Sequence, residues 1–253
     1  MNGSISNNDK QATPEDLNTR QPGLTGKLHW PIRIGSFLLF AATVAIVYVF
    51  GMRNNEVSNK YYLYVTPPGL FFTIWAVIFV LKGIVNIINL ILNVWTLKAH
   101  IFLAINNLLL ILWTNIFNIS NDPAVYVSFL IIFALIPTTL LFWYAVGDIK
   151  PIDWFTYFTR NTYAFYLGWV VAATNVNFGI LIVYWWKADP RTQLIIFWIM
   201  APLSAIGITA FNVYKQGLYG LKSCFALWIS VIWAFVGAAI TSARCYPNGC
   251  MAP

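Results

Sequence analysis

A row of aromatic and amide side chains around one lysine repeats at three- and four-residue steps between residues 69 and 94. This spacing places its members on one face of an α-helix. Isoleucine, leucine and valine cover the rest of that helix and suit contact with lipid. We therefore predict that the row, which we call the polar seam, faces protein or an internal cavity. It consists of Trp75, Phe79, Lys82, Asn86, Asn89 and Asn93.

Lys82 is the residue of the seam with the clearest chemical consequence. It lies about midway along its apolar segment, where an unpaired ammonium costs about 2.5–3.5 kcal/mol on insertion scales. All eight carboxylates of the chain fall in the tail, in loops or at segment ends. Two interpretations stay open. The anionic group of a ligand pairs with Lys82, or Lys82 hydrogen-bonds to Asn side chains and carbonyls or snorkels through a water defect.

Signatures of catalysis are missing from the sequence. His29 and His100 stand apart, and neither a glycine-rich phosphate loop nor a Gly-x-Ser-x-Gly motif occurs. We therefore expect that the protein is not an enzyme and requires no cofactor. The lack of Asp and Glu inside the apolar segments also argues against proton-coupled transport.

Composition predicts that lipid surrounds most of the chain. Of 253 residues, 59% are hydrophobic and only 9% are charged, which leaves too few polar groups to cover a water-soluble globule. The third of the apolar runs is the least certain, because Asn106 and Asn107 interrupt it. The runs long enough to cross a bilayer are 34–52, 69–94, 101–117, 124–146, 163–186, 194–213 and 221–240.

The positive charges indicate an anionic lipid surface rather than a nucleic acid. The net charge is +7, but the lysines and arginines are scattered among the apolar runs instead of clustering on one face. Most of those that flank the runs fall on the amino-terminal side of the membrane, which predicts a cytoplasmic amino terminus. The host membrane is not indicated.

The chain divides into four predicted parts. Residues 1–33 contain no apolar run and are expected to form a disordered cytoplasmic tail; 34–186 form a membrane core, 187–243 contain two further spans, and 244–253 are a short tail. Cys245 and Cys250 bracket Tyr-Pro-Asn-Gly, a turn-forming sequence that favours their approach. A disulfide and two free thiols both remain open.

Two motifs resemble the tryptophan-rich sensory protein/translocator protein (peripheral benzodiazepine receptor-like) family. Residues 61–75 read YYLYVTPPGLFFTIW and run on to Lys82-Gly83, which is similar to that family's loop and second helix. Residues 166–177 read YLGWVVAATNVN, like its fifth-helix pattern, and a weaker match runs from Trp113-Thr114 to Phe117. The two additional spans resemble an extended seven-span branch of the family.

The resemblance implies an all-α polytopic membrane helical bundle, with a five-helix translocator-like core and two extra C-terminal transmembrane helices. It further implies a hydrophobic pocket between helices, closed by the loop before Pro67. Gly69, Phe72-Thr73 and Leu110 depart from the classical pattern at positions that bear on ligand contact. The pocket positions carried over are Tyr62, Pro67, Trp75, Trp113, Trp169, Ala173 and Asn177, to which the seam adds Lys82 and Asn86.

From these residues we expect a protein that binds or transports a hydrophobic or amphipathic small molecule. The resemblance suggests a porphyrin, haem, sterol or other lipid-like compound. The alternative is a structural or interaction subunit without a small-molecule ligand, whose partner would be a second copy in a homodimer or another membrane protein.

Overall fold

Helices account for nearly all of the chain that the computed structural model describes, which is residues 29–147 and 153–245, with backbone only for residues 52–56. Residues 1–28, most of the predicted tail, lie outside the described residues. The helices are α1 His29–Lys60, α2 Ile74–Leu92, α3 Leu97–Phe117, α4 Asp122–Gly147, α5 Trp154–Ile180, α6 Pro190–Ser223 and α7 Phe225–Cys245. A 3-10 turn, Gly69–Thr73, leads into α2, and a π-helical turn, Leu181–Trp185, extends α5.

The helix boundaries follow local chemistry. Asn93 takes a left-handed conformation (φ 52°) and ends α2, so it caps the helix instead of extending the seam. The side chain of Asp153 accepts a hydrogen bond from the backbone N–H of Thr156 at the start of α5, at 2.8 Å, and Asp189 accepts one from Arg191 at the start of α6, at 2.7 Å. These carboxylates therefore sit at helix ends, as the sequence indicates.

The first five helices close into a ring. Neighbouring pairs are α1 with α2, α2 with α5, α5 with α4, α4 with α3, and α3 again with α1. Helices α6 and α7 lie outside this ring, where both pack on α5 and on each other. The ring corresponds to the predicted core, and α6 and α7 are the two additional helices.

Helix α5 is the centre of the bundle. Of its membrane-spanning stretch 72% is buried, against 17% for that of α6. Small residues allow this, because they let neighbouring backbones approach. At Gly168 a β-carbon would lie 2.3 Å from the carbonyl oxygen of Leu227 and 2.2 Å from Oγ of Ser230, so only glycine fits where α5 crosses α7.

The two asparagines that interrupt the third apolar run point inward. Asn106 and Asn107 are both 0% exposed, and Nδ2 of Asn106 donates to Oγ1 of Thr139 on α4 at 2.8 Å. Such amide contacts hold helices together without disturbing the lipid-facing side. The segment is a continuous helix of 21 residues that is long and apolar enough to cross a membrane.

Seven helices of the described chain have the length and composition of membrane spans. Large apolar side chains cover their outer surfaces: Leu38, Val80, Ile91 and Leu203, for example, are more than half exposed. A water-soluble protein rarely exposes so much apolar surface. The protein is therefore an integral membrane protein with an all-α polytopic helical bundle, and lipid is its surrounding medium.

Candidate functional site

A cavity of about 690 Å³ lies inside the ring. Helices α1, α2, α3 and α5 form its walls, and the loop before Pro67 together with the 3-10 turn covers one end. Phe197 of α6 and Ala234 of α7 complete the wall beside α5. The loop and turn, residues 61–73, are called the covering loop below.

Stacked indole and phenyl rings form most of the cavity wall. The ring of Trp75 stacks on Phe79 with centroids 5.6 Å apart and on Trp113 at 6.2 Å, and it meets Trp169 edge to face at 6.3 Å. Phe117 stacks on Trp113 at 5.5 Å. Flat faces of this kind favour a flat apolar ligand.

A few polar atoms on the wall have no partner within the described protein. They are Nε1 of Trp113, Nε1 of Trp169 and Oδ1 of Asn177. The amide nitrogen of Asn177 is used, because it donates to the carbonyl oxygen of Ala173 at 2.9 Å. The atoms without a partner are themselves buried, so a bound molecule reaches them only if the side chains shift. None of the described lining residues is charged.

Helix α7 holds the covering loop in place. Oγ1 of Thr241 donates to the carbonyl oxygen of Thr66 at 2.8 Å, Oγ of Ser242 to that of Tyr64 at 2.9 Å, and Nε1 of Trp233 to that of Phe71 at 3.0 Å. These bonds satisfy loop carbonyls that would otherwise be buried alone. The covering loop is thus fastened to a helix outside the five-helix ring.

Tyr61 fastens the other side of the covering loop. Its hydroxyl donates to Oδ1 of Asp122 at 3.2 Å. Burial, together with the hydrogen bond to Asp122, raises the pKa of Tyr61 above its ordinary value. The phenol therefore stays protonated and keeps donating throughout the physiological pH range.

Six of the nine predicted site residues line the cavity together, and three do not. Tyr62 lies beside the cavity, where its carbonyl oxygen accepts a hydrogen bond from the hydroxyl of Tyr184 at 3.0 Å. Lys82 and Asn86 lie deeper in the bundle and are absent from the wall. The six lining residues are Pro67, Trp75, Trp113, Trp169, Ala173 and Asn177.

Lys82 is buried behind the aromatic wall. Its side chain is 0% exposed, and Nζ has no hydrogen-bond partner among the described residues. The amine lies 4.2 Å from the ring centroid of Tyr166 and 5.3 Å from that of Tyr163, so it faces aromatic rings rather than a carboxylate. The Tyr166 ring, 6.3 Å from Trp75, stands between Lys82 and the cavity.

The asparagine side chains of the seam form hydrogen bonds with the backbone near them. Nδ2 of Asn86 donates to the carbonyl oxygen of Lys82, one turn earlier, at 2.8 Å. Oδ1 of Asn89 accepts from the backbone N–H groups of Val94 and Trp95, at 3.2 and 3.0 Å. The seam therefore faces protein, as predicted, but its amides stabilise α2 and the turn that follows it.

Sequence reasoning missed the contribution of α1 and of the additional helices to the cavity. Val44 and Val47 of α1, Ser58 near its end, Phe197 and Ala234 all line it. No polar row or motif marks these positions, so only the three-dimensional contacts reveal them. Of the two states left open for Cys245 and Cys250, Cys245 is in the disulfide-bonded one, and Cys250 lies outside the described residues.

An all-helical membrane bundle with a ligand-sized aromatic cavity inside a five-helix ring defines the class of this protein. The chain belongs to the family of TSPO-like proteins, whose family model matches residues 31–247. That match runs through α6 and α7, in agreement with the seven-span branch that the sequence motifs indicate. No curated protein and no solved structure matches the chain significantly.

Proposed function

We propose that this protein binds, and carries within the membrane, a largely apolar small molecule that has one neutral polar end. The observation that carries the proposal is the aromatic cavity of about 690 Å³. This volume falls within the range of about 300–1,000 Å³ that is typical of small-molecule sites. A solid helix bundle would need no such space, because interiors are normally packed without large voids.

The wall chemistry favours a sterol-like or similar neutral amphiphile. Trp75, Phe79 and Phe117 suit a flat apolar body. A small shift of Asn177 or Trp169 would offer its unused polar atom to a hydroxyl or carbonyl group. Burying an unpaired charge against such a wall is costly. A porphyrin or haem brings carboxylates, and the described wall offers them no cation, so these ligands fit less well.

The ligand has a route to the cavity from the lipid. Tyr48 of α1 and Val80 of α2 both line the cavity and are 75% and 61% exposed. We infer that the cavity opens between α1 and α2 at bilayer depth. An apolar molecule dissolved in the membrane reaches the site through this opening without crossing water.

A change on the cavity wall tests the proposal. We expect Ala173→Phe, which fills part of the cavity, to weaken binding of a sterol probe by about tenfold, or about 1.4 kcal/mol. Ala41→Phe on the exposed face of α1 is the matched control and should bind as the wild type does. Binding is measured by the ligand-induced shift in melting temperature of the purified protein, against sterols, porphyrin, haem and fatty acids. The proposal fails if no compound stabilises the wild type, or if Ala173→Phe binds as well as Ala41→Phe.

The covering loop supplies a second test. We expect Thr241→Val together with Ser242→Ala to weaken the attachment of the loop by about 1 kcal/mol for each lost hydrogen bond. The backbone amides of residues 64–71 should then exchange their hydrogens faster, as measured by mass spectrometry. Ser204→Ala is the control, because Ser204 bonds only within its own helix, to the carbonyl oxygen of Met200. Equal exchange in both variants would show that α7 does not hold the loop.

The alternative of a structural or interaction subunit requires a docking surface other than the polar seam. Lys82, Asn86 and Asn89 are at most 4% exposed, so they offer nothing to a partner helix. A partner, including a second copy, would have to use outer apolar faces such as that of α6. Absence of binding by every probe, with a stoichiometric membrane partner that co-purifies, would favour this alternative.

A further inference from the structure

Arg160 is a buried cation near the end of the bundle at which α5 begins. Its side chain is 0% exposed. It lies about 9 Å along the helix axis from Trp154, at the rise of about 1.5 Å per residue of an α-helix. Trp154 is 66% exposed, which is typical of a tryptophan at the lipid headgroup level. Arg160 therefore sits slightly below the headgroups, far from mid-membrane.

The guanidinium of Arg160 touches aromatic rings and one glycine. Its Cζ lies 3.6 Å from the ring centroid of Trp143 and 5.1 Å from that of Tyr219. At Gly147 a β-carbon would be 2.7 Å from Nη1, so the guanidinium lies against the backbone at the carboxyl end of α4. Helix α6 supplies Tyr219, so part of this enclosure comes from outside the five-helix ring.

Within the described residues, no acceptor lies at good hydrogen-bonding geometry from Nε, Nη1 or Nη2, and the hydroxyl of Tyr219 also lacks a hydrogen bond of good geometry. This hydroxyl is close enough to the guanidinium to interact with its charge. The stacked rings and the negative end of the α4 dipole offset part of the charge. The rings and the helix dipole provide no acceptor for the in-plane N–H donors, and a buried donor without an acceptor is destabilising.

Arg160 cannot relieve this situation by losing its proton. A buried lysine can become neutral, whereas a guanidinium stays charged in proteins. Its planar fork of donors matches a carboxylate or phosphate oxyanion. At headgroup depth, phosphate is the anion that the membrane itself supplies in quantity.

We propose that Arg160 binds a phosphate oxyanion and that Tyr219 covers this site when it is empty. Lys215 and Lys222 are exposed at the same end of α6, and the hydroxyl of Tyr157 on α5 donates to the carbonyl oxygen of Lys222 at 3.0 Å. These lysines attract anions toward the site. Gly217, two positions before Tyr219, has a non-helical backbone (φ 57°, ψ −142°), so α6 is kinked just before the residue that covers Arg160.

The phosphate has two possible sources, an anionic phospholipid headgroup and a free phosphate, and the experiment separates them. The full-length protein is placed in phosphatidylcholine nanodiscs with or without phosphatidylglycerol, and the lipid that stays bound after extraction is counted by native mass spectrometry. In a parallel arm, millimolar inorganic phosphate is added to the detergent-solubilised protein and the melting temperature is measured. Retention of phosphatidylglycerol identifies the lipid, whereas stabilisation by inorganic phosphate alone identifies the soluble anion.

Four variants define the expected result. Arg160→Met should reduce retention of the phosphate ligand by about tenfold, and Arg160→Lys, which keeps the charge but loses the fork, should fall between it and the wild type. Tyr219→Ala removes the cover and should retain the ligand at least as well as the wild type. Arg160→Lys keeps the test informative if Arg160→Met fails to fold. Arg191→Gln, at the opposite end of α6, is the control and should change nothing.

The proposal is overturned by either of two outcomes. One is that the wild type neither retains phosphatidylglycerol nor gains stability from inorganic phosphate. The other is that Arg160→Met, or Arg160→Lys if the methionine variant does not fold, retains the phosphate ligand as well as the wild type does. Arg160 would then be a structural cation held by Trp143 and the end of α4. Neither result bears on the aromatic cavity, which the sterol probe tests separately.

Discussion

Replacement of Gly168 by valine is expected to destabilise the folded protein by about 3 kcal/mol, the upper end of the usual cost of overpacking. A β-carbon at this position would overlap the carbonyl oxygen of Leu227, at 2.3 Å. That atom belongs to the backbone of α7, so the clash is relieved only by moving the whole helix. Because α7 also holds the covering loop, the cavity should lose its ligand affinity together with the stability.

Gly207→Val is the matched control for this prediction. Gly207 lies in α6, where a β-carbon would meet nothing within 4 Å, so its replacement should change the free energy of unfolding by less than about 1 kcal/mol. Melting temperature and size-exclusion elution of the detergent-solubilised protein provide the comparison. Equal stability of the two variants would mean that α5 and α7 do not cross as closely as the structure shows.

Replacement of Lys82 by methionine is expected to stabilise the protein by about 1 kcal/mol. A charged lysine at this depth costs about 2.5–3.5 kcal/mol on insertion scales, and cation–π contacts with Tyr163 and Tyr166 offset about 2 kcal/mol of that cost. Methionine avoids the charge, fills a similar volume and packs well against aromatic rings. Thermal unfolding of both proteins in the same detergent measures the difference.

Arg33→Met is the contrasting variant. Arg33 is also buried, but its Nη2 donates to the carbonyl oxygen of Asn89 at 3.4 Å and its guanidinium stacks on Trp30 at 4.4 Å. Its loss should therefore destabilise the protein. A destabilised Lys82→Met would contradict our account of the lysine as an unsatisfied buried amine.

The same Lys82 variant decides between the two interpretations of this residue. Because Lys82 lies behind the aromatic wall, we expect Lys82→Met to change the affinity for a neutral sterol probe by less than about threefold, or about 0.7 kcal/mol. If a carboxylated amphiphile binds the wild type at least tenfold more tightly than it binds Lys82→Met, the result would instead support the interpretation in which an anionic ligand pairs with Lys82.

Local patterns in the sequence determine the helices and the direction in which they face. The apolar runs become the seven helices, and the three- and four-residue repeat correctly turns Lys82, Asn86 and Asn89 inward, because these patterns depend only on residues within one or two turns of each other. The family motifs also identify Trp75 and Trp169 as cavity residues. Asn93 is an exception, since its left-handed backbone ends the helix before the seam reaches it.

Only the tertiary structure decides what each inward-facing residue meets. The separation of Lys82 from the cavity depends on Tyr166, a residue of another helix, and the closure of the cavity depends on a hydrogen bond between Thr241 and Thr66, 175 positions apart. The enclosure of Arg160 likewise joins α4, α5 and α6. A periodic pattern shows which side of a helix is buried, whereas packing between distant segments decides whether that side meets a ring, a hydrogen-bond partner or an open space.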